Sequence, residues 1–327
     1  KDRIKWIARC LDEQLPADYE AAAVVIVKSL PPPLDPTKTD NDFGDFIFAP
    51  LGEYVVQNGL SKKHLSLSLK VLQEITQRFS MEDAIRYFLN KFESETMHEL
   101  KTWVTHENYH VRRLVSEGTR PLLPWSGRIK LAVEKAIPLL DALYYDQTRY
   151  VTRSVANHMN DITKVQPKLA VRTLKRWQEE GKQETSEMNW VISHSLRTLV
   201  KRGDTAALAL LGYKEKPAIE VTKLKPKNKP KVSLGEALEF SFEIVSHEPV
   251  KLMIDYQIDF PKANSKILGK VFKIKKANLK TGEVVSVSKR HLFPKNASTL
   301  RFYPGKHTLT LQINGEQHDS LIFYLST

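Results

Sequence analysis

One cysteine, Cys10, is all the thiol that this 327-residue chain contains. A single thiol excludes an internal disulfide framework and a zinc site built on paired thiolates. No apolar run approaches the roughly 20 residues that a bilayer crossing needs. The first stretch, KDRIKWIARCLDEQL, reads as an amphipathic helix rather than a signal peptide. A reducing, cytoplasmic setting without a membrane partner is therefore expected. Glycine is sparse, and LGEYVVQNG lacks the spacing of a phosphate-cradling loop. His106, His110, His158 and His194 are scattered, and no pair has metal-ligand spacing with a third partner. Neither a metal nor a cofactor is expected.

What the chain does have is positive charge: 50 Lys and Arg against 38 Asp and Glu, a net +12. Such a surface favours a polyanionic partner. The length suffices for two domains, each with its own core, and the texture changes near residue 213. Before it, apolar residues recur at helical spacing, as in LSLSLKVLQEITQRF, AVEKAIPLLDALYY and PKLAVRTLKRWQEE. The breaks carry helix punctuation: Pro31 to Pro33, Ser80 as an N-cap, Pro121 and Pro124, Pro167 just inside a helix start, and Gly203-Asp204. After it the period becomes two, in ALEFSFEIV, VKLMIDYQIDF, GEVVSVSKRHLF and DSLIFYLST. From Pro217 onward 18 basic residues face 10 acidic ones, so this part carries +8. Lys223, Lys225, Lys227, Lys229 and Lys231 alternate along its start, and Lys270, Lys273, Lys275 and Lys276 cluster on a later strand. They read either as a solvated, lysine-blunted sheet edge or as a phosphate-contacting surface.

A repeat organises the helical half. Sliding by forty residues sets His110-Val-Arg-Arg-Leu-Val on Tyr150-Val-Thr-Arg-Ser-Val, and again, more loosely, on Trp190-Val-Ile-Ser-His-Ser-Leu. A helical period near forty is that of HEAT or armadillo arrays. The expected fold is thus an all-α HEAT-like repeat solenoid over residues 1–213, followed by an all-β immunoglobulin-like sandwich over residues 214–327. In the first copy Arg113, Glu117 and Arg120 share a helix face. In the second, Arg153, Asn157, Asn160, Asp161 and Lys164 do. Read alone, Arg113 and Glu117 are an ordinary i,i+4 ion pair of a few tenths of a kcal/mol. Stacked across repeats, with Trp125 nearby, these residues become a row that grips phosphates and offers carboxylates to developing positive charge.

HVRRLVSEGTRPLLPW followed by YVTRSVANHMNDITKVQP resembles the signature of the HEAT-like alkylpurine DNA glycosylases, the AlkC branch of the AlkC/AlkD superfamily. The resemblance runs from RFSMEDAIRYFL to LVKRGDTAALALLGY. Separately, FYPGKHTLTLQING looks like the late strands of an immunoglobulin or fibronectin type III module. The family resemblance implies a monofunctional glycosylase that removes cationic alkylated bases, chiefly 3-methyladenine, from double-stranded DNA, without flipping the base. It implies a monomeric, cofactor-free, cytoplasmic and nucleoid-associated bacterial repair enzyme. The tryptophan–aspartate and tryptophan–arginine pairs of the AlkD branch are not reproduced, and Asn157 and Asn160 fall where the second pair would be.

Alkylation at N3 makes adenine a cationic leaving group, so its departure needs no strong acid. The oxocarbenium-like sugar it leaves is best met by carboxylates and an oriented water. Glu82, Glu117 and Asp161 are the catalytic candidates. Glu82 is read as one turn into a helix capped by Ser80, and its neighbour Asp83 is an alternative. Arg113, Arg120, Arg153 and Lys164 are assigned to phosphates, Asn157 and Asn160 to the DNA, and Trp125, with Trp190 behind it, to the deoxyribose or a wedge beside the lesion. Two rivals keep the solenoid without chemistry: a scaffold for acidic protein partners, and a DNA-binding relative that senses lesions without cleaving.

Overall fold

The computed structural model describes residues 1–35, 37–38, 43–262, 266–297 and 301–326. The chain divides into two compact units, Lys1–Leu196 and Arg197–Thr327.

In the first unit, α1 (Asp2–Gln14) and α2 (Tyr19–Ser29) precede a 3-10 turn at Phe46–Phe48, which runs into α3 (Ala49–Gly59) and α4 (Leu65–Thr76). Then follow α5 (Ala84–Lys91), α6 (Glu93–Trp103), α7 (Tyr109–Gly118), α8 (Val133–Leu143), α9 (Arg149–Val165), α10 (Pro167–Glu180) and α11 (Thr185–Ser195). Helices α7, α9 and α11 pack in succession. They do so because Val111, Leu114 and Val115 on α7, and Val151, Val155, Met159 and Ile162 on α9, recur at helical spacing and are buried. Each such side chain contributes about 1.5–3 kcal/mol. The helix ends follow local chemistry. The Asn108 side chain accepts the His110 amide at 2.8 Å, Pro167 occupies the first turn of α10, and Gly181, at φ 62°, ends α10 in the left-handed region. Gly118 closes α7 against α5, where a Cβ would lie 2.5 Å from Ile85 Cγ2.

The second unit opens with two short helices, α12 (Arg197–Lys201) and α13 (Thr205–Leu210), the latter capped by Asp204 on the Ala207 amide at 2.9 Å. Among the described residues eight strands follow: β1 (Ile219–Pro226), β2 (Lys231–Ser233), β3 (Ala237–Ser246), β4 (Val250–Pro261), β5 (Ile267–Leu279), β6 (Val284–Leu292), β7 (Gly305–Ile313) and β8 (Glu316–Ser326). They form a three-stranded sheet, β1-β3-β6, and a five-stranded one, β2-β8-β7-β4-β5. Pairing is antiparallel except between β2 and β8. Alternation sends Leu238, Phe240, Phe242 and Ile244 of β3 and Leu252, Ile254, Tyr256 and Ile258 of β4 into one shared core. Lysines of β1 and β5 stay exposed, and Lys223 reaches Glu243 at 2.7 Å.

The expected fold class needs correction. The molecule is mixed, 45% helix and 24% strand, and not a purely helical solenoid, while the two C-terminal sheets fit the immunoglobulin-like part of the expectation. The second compact unit takes in α12 and α13 along with both sheets. The first holds helices of 8 to 17 residues, a 3-10 turn and an isolated bridge between Gly44 and Phe79. Apolar periodicity reports which face of a helix is buried, not how uniform neighbouring helices are, so the repeat seen around α7, α9 and α11 was extended too far. The change of period near residue 213 falls between the end of α13 and the start of β1.

Candidate active site

The walls of a cavity of about 680 Å³ in the first unit come from α3, the turn before α5, α7 and α9, with the segment after α7 at its mouth. Glu82, Arg113, Glu117, Arg120, Trp125, Arg153 and Asn157 all line it. Asn160, Asp161 and Lys164 do not.

At the centre is an alternating chain of acids and guanidinium groups. Arg113 donates to Ser80 Oγ at 2.9 Å and to Glu82 Oε2 at 3.2 Å, and its other terminal nitrogen lies 3.8 Å from Glu117 Oε2. Glu117 accepts from Arg120 Nη1 at 2.5 Å and from Ser154 Oγ at 2.5 Å. Arg120 Nε donates to Asp161 Oδ2 at 2.9 Å, and Lys164 Nζ reaches the other Asp161 oxygen at 3.1 Å. The forty-residue repeat makes this possible, since it brings α9 beside α7 and Ser154 opposite Glu117.

Both ends of the Glu82 carboxylate are tied as well. Oε2 accepts from Ser80 at 2.9 Å, and Oε1 accepts the Trp125 indole N–H at 3.3 Å. Ser80 is not a helix cap. Helix α5 begins at Ala84, without a side-chain cap, and Glu82 sits in the turn before it. Trp125 likewise stands in the turns between α7 and α8 rather than at a helix start, 70% exposed at the cavity mouth. Asp83 accepts from Ser126 Oγ at 2.5 Å and pairs with Lys1 at 3.3 Å. Arg86 fastens the segment carrying Trp125, donating to the carbonyls of Gly118, Arg120 and Gly127 at 3.1, 2.7 and 3.0 Å.

Charge follows from this wiring. Burial pushes the Glu117 carboxyl up, but Arg113, Arg120 and the Ser154 hydrogen bond outweigh it and hold the group below the usual carboxylate range. Burial also opposes the Arg113 and Arg120 charges. Glu117 does most to offset it at both, joined by Glu82 at Arg113 and by Asp161 at Arg120, so both guanidinium groups stay protonated. The Arg113 guanidinium lies over the Tyr150 ring, 4.5 Å from its centroid, and that of Arg153 lies 5.5 Å from it. The Tyr150 hydroxyl is buried without a hydrogen-bond partner among the described residues, and desolvation raises its pKa. Behind α7, burial lowers His158 to about 4, so its neutral ring donates Nδ1–H to the Ser116 carbonyl at 3.0 Å.

The remaining candidates stand back from the cavity or at its edge. Asn160 donates to the Ser195 carbonyl at 2.8 Å. Asn157 contacts His194 Nε2 at 3.0 Å, and the His194 ring stacks on Trp190. Trp190 is also covered by the Arg149 guanidinium at 4.1 Å and does not line the cavity. Sequence reasoning passed over Ser154, Arg86 and Tyr150. Ser154 carried a usable signal, forty residues on from Leu114 in the repeat and one position from Arg153. Arg86 and Tyr150 act through contacts that no spacing announces. Among the described residues, no three His, Cys, Asp or Glu side chains are grouped to hold a metal, and no helix is long and apolar enough to cross a membrane.

Residues 220–327 match the family model described as the C-terminal Ig-like domain of the uncharacterised protein YhaZ. Over 326 residues the chain is 37% identical to the uncharacterized protein YhaZ of Bacillus subtilis (strain 168), spanning 99% of this chain and 86% of that one. Its fold is similar to that of the Pseudomonas fluorescens alkylpurine DNA glycosylase AlkC, solved bound to DNA containing an abasic site analog. That match has a TM-score of 0.85 and 32% identity over 99% of this chain and 87% of that one.

Proposed function

Because the chain belongs to the family of YhaZ and the AlkC alkylpurine DNA glycosylases, we propose that it is a DNA base-excision repair enzyme. It hydrolyses the N-glycosidic bond of cationic alkylated purines, chiefly 3-methyladenine. The observation that carries this reading is the Glu82–Arg113–Glu117–Arg120 chain on the wall of one cavity, with Trp125 at its mouth.

The bond between C1′ and N9 breaks with its electron pair moving into the purine, which cancels the base's positive charge. Positive charge then gathers on the sugar, and negative charge fixed nearby lowers that barrier. Glu117, kept ionised by two guanidinium groups, suits this electrostatic role and makes a poor proton acceptor. Glu82, on the cavity wall beside Trp125, is the better group to orient the attacking water and take its proton while the water oxygen bonds C1′. Asp161 holds Arg120 in place from behind. Arg153, Lys164, Asn157 and the basic sandwich supply contacts to DNA, whose affinity then falls with salt. Base removal proceeds without flipping, by a monofunctional monomer in the nucleoid-bearing cytoplasm.

The test is release of free base from duplex DNA treated with a methylating agent, followed chromatographically. The wild-type chain releases 3-methyladenine and leaves an abasic site. Glu82→Gln reduces release about 10²–10³-fold with DNA binding retained. Salt-sensitive DNA binding without any released base overturns the proposal and leaves a lesion-binding protein.

A further inference from the structure

Ile47 and Trp125 are the most exposed large apolar side chains of the described residues, at 75% and 70%. Beside Ile47 stands Phe46, 65% exposed, and both belong to the single 3-10 turn before α3. Phe46 and Trp125 line the same cavity. Ile47 lies outside that lining, next to Phe46. Large exposed apolar groups gathered at and beside a cavity, rather than scattered, mark a contact surface.

The turn is firmly mounted. Gly44 bridges to Phe79, and the Asp45 amide donates to the Arg78 carbonyl at 3.3 Å. Gly44 has φ +73°, and a Cβ there would fall 1.8 Å from the Arg78 carbonyl oxygen, so the backbone approaches as closely as glycine permits. Arg78 in turn donates to the Pro31 carbonyl at 2.7 Å and the Glu74 carbonyl at 2.9 Å. The Phe46 ring meets Phe79 edge-on, with centroids 5.4 Å apart. An aromatic and a branched aliphatic side chain are thus held outward on a fixed base.

We infer that Phe46 and Ile47 form a wedge that enters a base-pair step of duplex DNA beside the lesion, with Trp125 facing the lesion nucleotide from the same cavity mouth. The inference rests on the proposed glycosylase reading, since it is the continuity of this apolar rim with the acid-lined cavity that selects DNA as the occupant. Apolar side chains of these two types unstack a base step by inserting into it. Unstacking opens the room in which carboxylates reach C1′ of a nucleotide that has not been flipped. A second copy of the chain is the competing occupant.

The probe is a duplex with one tetrahydrofuran abasic-site analogue and 2-aminopurine as the adjacent base, whose emission rises when it unstacks. The wild-type chain raises emission several-fold. Phe46→Ser/Ile47→Ser abolishes most of that rise and weakens binding about tenfold, as expected for lost base stacking, while its melting temperature is unchanged. Phe46→Trp retains the rise. Unchanged emission and affinity in the double serine variant overturn the wedge, as does a wild-type dimer in sedimentation that the variant dissociates. A wild-type chain that unstacks the probe but releases no methylated base supports the wedge and removes the glycosylase reading. Normal base release by a variant that has lost no emission does the reverse.

Discussion

Glu117→Gln removes one charge while keeping the side chain's shape, and the structure sets the size of the effect. The carboxylate is buried and accepts from Arg120 and Ser154 at 2.5 Å each, with Arg113 at 3.8 Å. Breaking one partner out of a buried ion network costs about 3–5 kcal/mol. Arg113 keeps Glu82 and Arg120 keeps Asp161, so the loss falls at the lower end, about 3 kcal/mol. For a unit of this size, that lowers the melting temperature by about 6–12 °C. The pH dependence has a definite sign. Two guanidinium groups and Ser154 overcome burial and depress the Glu117 pKa, so its stabilisation is whole above the unfolded value near 4.3. It is lost as pH falls through the lower folded value. Thermal melts followed by far-ultraviolet circular dichroism therefore show a constant gap between wild type and variant from about pH 8 to 5, closing below about pH 4. Base release drops about 10²–10³-fold at neutral pH. A variant melting within about 2 °C of wild type at neutral pH refutes the network as drawn, and so does a gap that ignores pH.

Two further perturbations probe other parts of the molecule. In β4, burial raises Asp255 to about 6 against the opposing pull of Lys273, and its Oδ1 has no hydrogen-bond partner among the described residues. An acid whose folded pKa is raised disfavours the native state at high pH. Asp255→Asn therefore stabilises the second unit by about 1–3 kcal/mol at about pH 8, an advantage that fades as pH falls from about 6 to 4. A lower melting temperature across the whole range sinks this account. At Tyr150 the ring carries Arg113 while the hydroxyl has no hydrogen-bond partner among the described residues. Tyr150→Phe therefore leaves base release within about twofold. Tyr150→Leu loses about 0.5–2 kcal/mol of cation–π contact and reduces release several-fold. Equal losses in the two variants show that the hydroxyl, not the ring, is what matters.

The fold was legible where burial obeys a simple period. Strand β3 was marked by alternation and β4 by alternation broken at Met253, and α7 and α9 by Val111, Leu114 and Val115 and by Val151 and Val155, buried as their spacing requires. Pro167 announced a helix start and Gly203-Asp204 a break, because each acts on its own backbone turn. The uniform solenoid was not legible, since α5 has 8 residues and α9 has 17, and helix length is set by what each helix meets in space. Ser80 shows the same limit in one residue. A serine before an acidic stretch reads as a cap by local chemistry. Here its hydroxyl instead accepts from Arg113 and donates a hydrogen bond to Glu82, because an arginine 33 positions away arrives at the same point.

The arginines carry the same lesson into function. From sequence, Arg113 and Arg120 are cations on a helix face and suit the phosphates of a bound duplex. In the structure both are buried, and each guanidinium joins two carboxylates: Glu82 and Glu117 for Arg113, Glu117 and Asp161 for Arg120. A planar donor fork so engaged, in the case of Arg113 with an aromatic ring against its face, has little left to offer a phosphate. Its effect is felt at Glu117, where the two guanidinium groups offset burial and favour the ionised carboxylate. That division fits the proposed chemistry better than the original assignment. A departing cationic base needs standing negative charge near the sugar, and negative charge survives out of water only where positive charge is fixed beside it. On the proposed reading, DNA affinity is assigned to more exposed cations such as Lys164 and the strand lysines, and the buried arginines to holding the acids they pair with.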